Sequence, residues 1–124
     1  MLYSKDLLIP SGTQEDTPVR AVLPVCEGIV SRVWVRWRWG PGNLCGVRAY
    51  YAEFQHWPMS PGEWFPSTTH DLVFDDALPL LFEPLQLVIE GYNLDDVYPH
   101  RVWMAFQIDR QPRYEPIEWT LEPV

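Results

Sequence analysis

The chain has 124 residues, 47% hydrophobic and 15% aromatic, so it can close one core without staples and is not disordered over most of its length. Its formal net charge of −8, from 17 acidic and 9 basic residues, opposes a general nucleic-acid role, because phosphate binding draws on basic surface. The 13 prolines recur along the chain and no window between them keeps apolar residues at helical spacing, which excludes long helices and predicts an all-β fold.

In chain order, residues 3–9 read as a first strand, stopped by Pro10, Ser11 and Gly12. Val19, Ala21 and Leu23 alternate in a second, closed by Pro24. Residues 29–39, IVSRVWVRWRW, carry the strongest pattern. The period of two sorts Ile29, Ser31, Val33, Val35, Trp37 and Trp39 to a core face, against Val30, Arg32, Trp34, Arg36 and Arg38. GPGN at 40–43 ends this strand, and the alternation of Val47, Ala49 and Tyr51 within 44–54 predicts its hairpin partner.

The stretch 55–70, QHWPMSPGEWFPSTTH, is too rich in proline for regular ladder pairing, yet it holds Trp57, Met59, Trp64 and Phe65. A loop this apolar is either folded over the core or offered to a partner. Residues 72–74 form a short strand, and the following DDALPLLFEP is read as irregular because of its two prolines. Leu85, Leu87 and Ile89 alternate next, and Val102, Met104, Phe106 and Ile108 give the cleanest alternation of all, with Trp103 on the opposite face. Ile117, Trp119 and Leu121 alternate between Pro116 and Pro123. The expectation is a two-sheet antiparallel β-sandwich or jelly roll of about eight or nine short strands, spanning 1–110, with 111–124 as a C-terminal arm or edge strand.

Chemistry is sparse in the sequence. His56, His70 and His100 lack the spacing of metal ligands, and Asn93, Asp95 and Asp96 serve a turn as well as they would serve calcium. There is no phosphate-binding glycine loop and no nucleophile elbow, so neither an enzyme nor a cofactor is predicted. Cys26 and Cys45 are too few for a disulfide framework, and bridge only if their strands are neighbours. No stretch is long and apolar enough for a membrane helix, and the opening MLYSKDLLIPSG lacks the plan of a signal peptide, which predicts synthesis in the cytoplasm.

The surplus is aromatic: 7 tryptophans and 6 tyrosines. A thin sandwich core accounts for several, but not for Trp34 and Trp103, which alternation turns away from the core. Tryptophan and arginine dominate contact hot spots, so Trp34, Trp103, Arg32, Arg36 and Arg38 are the candidate interface, with Trp57, Trp64 and Phe65 of the apolar loop beside them. The same aromatics suit stacking on sugar rings.

The segments YSKDLLIPSGT, SPGEWF (60–65) and EGYNLDDVYPHRV (90–102) resemble a group of small, mostly uncharacterised β-sandwich proteins of phage-like and metagenomic genomes. The resemblance spans nearly the whole chain and carries no catalytic or binding residue. It implies a structural protein of the virion decoration or cement kind, which clamps capsid subunits, commonly as a trimer. The expected function is therefore non-enzymatic assembly: self-association and docking on a larger particle such as a capsid. The alternative is a carbohydrate- or ligand-binding module that uses the aromatic loop.

Overall fold

A computed structural model describes residues 1–110 except 39, 69 and 70. Among the described residues the β-branched and aromatic alternation folds as nine strands: β1 (Leu2–Ile9), β2 (Val19–Pro24), β3 (Gly28–Trp37), β4 (Cys45–Tyr51), β5 (Phe54–Trp57), β6 (Phe65–Pro66), β7 (Asp71–Leu80), β8 (Gln86–Asn93) and β9 (His100–Asp109). All pairings are antiparallel. β1 pairs with β9, β2 with β8, β3 with β7, and β4 with both β5 and β6, so the chain is one long ribbon folded back on itself and rolled up. Rolling adds the β3–β9 and β4–β8 contacts and gives two sheets, β1-β9-β3-β7 and β2-β8-β4-β5 with β6 also on β4. This is the wrapping of a jelly roll whose fifth strand is broken in two, as β5 and β6.

The core lies between the sheets. Val33, Val35 and Trp37 of β3, and Val102, Met104, Phe106 and Ile108 of β9, face Val47, Ala49 and Tyr51 of β4 and Leu87 and Ile89 of β8. Leu7 and Ile9 close one side, where the sheets approach so tightly that a Cβ on Gly91 of β8 would lie 2.5 Å from Ile9 Cδ1.

Several expectations are corrected. Residues 29–39 and 44–54 do not make a hairpin: β3 and β4 lie in different sheets, and both edges of β3 are taken, by β7 and β9. The glycine-rich link between them is a crossover, with Pro41 buried and its carbonyl accepting from Leu44 N–H. Alternation states which face a residue takes, not which strand lies beside it.

Within β3 the register shifts between Val30 and Arg32. This bulge at Ser31 turns Val30 into the core and leaves Ile29 half-buried on the other side, the reverse of strict alternation. The run 44–54 contains a turn at Ala52 and Glu53, whose φ of 53° and 73° are unusual for residues other than glycine and join β4 to β5 in a two-residue hairpin. Neither residue advertises a turn.

The proline-rich 55–70 stretch does pair: β5 and β6 occupy successive parts of one edge of β4. Likewise β7 runs unbroken for ten residues through Pro79, because it is an edge strand and a missing N–H there costs no ladder bond. Cys26 and Cys45 are both free. Trp39, His70 and the arm 111–124, with Ile117, Trp119 and Leu121, lie outside the described residues.

Candidate functional site

Alternation along β1, β9, β3 and β7 lays side chains in rows across the outer face of the four-stranded sheet. One row reads Asp6, Trp103, Arg36, Asp71; the next reads Ser4, Ala105, Trp34, Val73; the next reads Leu2, Gln107, Arg32, Asp75. Trp34 and Trp103 are half-exposed on this face, as alternation predicts. Ala105 between them is fully covered although it lies outside the core cluster, so the tryptophans shield the middle of the sheet.

The arginines are not a bare basic strip. Arg32 Nε donates to Asp75 at 2.8 Å, and Arg36 Nε to Asp71 at 3.0 Å, both partners arriving on β7. The Arg36 guanidinium also lies 5.6 Å from the centre of the Trp103 ring. Arg38 and Arg101 share Asp6, at 3.9 and 3.3 Å. Asp109 at the far end is held below the usual carboxylate range, first by the Ser31 hydroxyl and then by the Gln107 amide. All these pairs are exposed, so each adds little to stability and leaves a polar frame around two tryptophans. Spacing within β3 reveals the arginines; their carboxylates come from strands that only the fold brings alongside.

Two aromatics of the loop, Trp57 and Phe65, turn inward. Trp57 is 1% exposed and belongs to the core: its ring packs 5.2 Å from that of Phe106, and its Nε1 donates to Asp76 Oδ2 at 2.7 Å. Its place in the candidate interface is therefore withdrawn. Phe65 turns inward against Phe74 at 5.7 Å, bridging the open side of the sandwich. Trp64 lies over the Arg48 guanidinium at 3.9 Å and meets Tyr92 edge-on at 4.8 Å. Gln55 pegs the loop internally, donating to the carbonyls of Pro58, Ser60 and Glu63 and accepting from Gly62 N–H.

Beneath Trp64, on the outer face of the five-stranded sheet, Glu90 is clamped between two arginines. Arg20 bonds Oε2 and Arg48 bonds Oε1, with the Glu90 side chain only 7% exposed. Sequence reading missed this triad, because its members sit 70 and 42 positions apart.

At one end of the sandwich, Asn93 donates to the carbonyls of Ile9 and Tyr98 and accepts from Asp95 N–H and the Cys45 thiol. Asp95 accepts from Val97 and Tyr98 N–H and lies 2.9 Å from His100 Nε2. That contact with His100 is the main cause holding the Asp95 carboxyl low. A thiol, an imidazole and a carboxylate thus share this end, but burial, and then Asp95, push the Cys45 thiol up to about 12, and it donates to Asn93. It is not activated as a nucleophile. Among the described residues no group of three His, Cys, Asp or Glu is placed to hold a metal ion. His56 is half-buried between Tyr51 and Trp57, and burial lowers its pKa.

The opposite end carries Phe54 and Phe82, 70% and 75% exposed, flanking Tyr51, whose hydroxyl donates to Phe82 O and accepts from Phe82 N–H. No helix among the described residues is long and apolar enough to cross a membrane. No family model, no curated protein and no solved structure matches the chain.

Proposed function

We propose that this chain is a non-enzymatic assembly protein that self-associates and docks on a larger particle, such as a virus capsid, through the outer face of its four-stranded sheet. The observation that carries the reading is the pair Trp34 and Trp103, half-exposed at the middle of the outer face and framed by Arg32, Arg36, Arg38 and their aspartates. Aromatic anchors inside a polar rim are the usual anatomy of a docking surface. The jelly roll suits such work, since it recurs in capsid and lectin domains, though a fold alone does not decide a function. Light scattering on a sizing column over a range of concentrations tests the reading. A mass above the monomer that falls on Trp34→Ala with Trp103→Ala supports it, and a monomer at every concentration overturns it.

A second reading is a saccharide-binding module. With Trp57 and Phe65 of the loop turned inward, its site moves from the loop to the sheet face. There a shallow depression is lined by Asp6, Arg36, Trp37, Arg38 and Trp103, an aromatic ring beside paired donors and acceptors.

A further inference from the structure

We infer that this depression is a site for a monoanionic sugar acid, a uronic acid residue within an oligosaccharide being the fitting class. The inference deepens the saccharide reading and does not depend on self-association. The depression, about 700 Å³, is open and of a size that takes a small ligand. Its Trp103 ring offers an apolar plane of the kind on which a sugar ring stacks.

Charge selects the class. Around Trp103 stand three guanidiniums, Arg36, Arg38 and Arg101, against two carboxylates, Asp6 and Asp71. Arg36 is committed to Asp71 at 3.0 Å, whereas Arg38 and Arg101 divide Asp6 between them at 3.9 and 3.3 Å. Among the described residues one positive charge is left without a counterion, and a single carboxylate matches it in a planar, two-point geometry. Asp6, loosely held, keeps lone pairs for sugar hydroxyls. A nucleotide or sulfated polymer would bring several negative charges to a body of net charge −8, which repels them at long range.

Trp103 also belongs to the proposed self-association surface, so sugar acid and second copy compete for one ring. The experiment is a tryptophan-fluorescence titration of the full chain with an aldotetraouronic acid, a tetrasaccharide that carries one uronic acid and hence one carboxylate, a size-matched neutral xylotetraose and AMP. The expected result is saturable binding of the uronate, at least tenfold weaker binding of the other two, and weakening as salt is raised. Arg38→Gln, exposed and harmless to the core, should lose about tenfold in affinity, and Trp103→Ala more; melting curves establish that both fold. Equal binding of the neutral sugar, tighter binding of AMP, no saturable response, or indifference to Arg38→Gln would each overturn the inference. Light scattering in the absence of uronate reads the assembly separately. A monomer that binds uronate sinks self-association and keeps this site, and an oligomer blind to uronate does the reverse.

Discussion

The guanidinium of Arg48 lies 3.9 Å from the centre of the Trp64 ring while its Nε donates to Glu90 Oε1 at 3.0 Å. One side chain thus neutralises a buried carboxylate and holds down the only long apolar loop of the described chain. Arg48→Ala should lower stability by about 3 kcal/mol, since Glu90 would keep only the more exposed Arg20. Trp64→Ala should cost less, about 1–2 kcal/mol, but should speed protease cleavage within 58–64. Urea unfolding and limited proteolysis check both, and an Arg48→Ala protein as stable as the parent would refute the account.

Trp34 and Trp103 stand on the outer face, so their joint replacement by alanine should leave the fold intact. Each loses cross-strand packing worth roughly 1 kcal/mol, not the larger value of a core truncation. Trp57→Ala is the contrast: it empties the core and removes the bond to Asp76, costing about 3–5 kcal/mol. Melting temperatures of the three proteins decide between the two placements.

Acid should weaken the fold in two windows. The His56 pKa lies below 6.5 in the folded chain, so the unfolded chain takes up protons first and stability falls as pH drops below about 6.5. The Asp95 pKa lies below 3.8, so its contribution is full above that value and is lost as pH falls through the lower, folded one. Denaturation midpoints from pH 7.5 to 2.5 should flatten in the upper window for His56→Gln and in the lower one for Asp95→Asn. No change of slope in either variant would assign the acid loss elsewhere.

Cys45 should resist alkylation at pH 8, being fully buried with its thiol pushed up to about 12. Mass spectrometry after iodoacetamide should find Cys45 unmodified in the native protein and modified in denaturant. Native labelling of Cys45 would mean that this end opens readily.

The sequence by itself determined the class of fold and the sidedness of its strands. A period of two in β-branched and aromatic residues, with prolines too frequent for helices, admits only short strands, and it turned Trp34 and Trp103 outward correctly. Tertiary structure decided everything that depends on a distant neighbour. The sheet to which β4 belongs, the bulge at Ser31 and the burial of Trp57 follow from how the ribbon rolls up. So does the pairing of Arg32 and Arg36 with Asp75 and Asp71. The physical reason is that alternation is a local consequence of backbone geometry, whereas strand neighbours and ion pairs are set by the packing of the whole core.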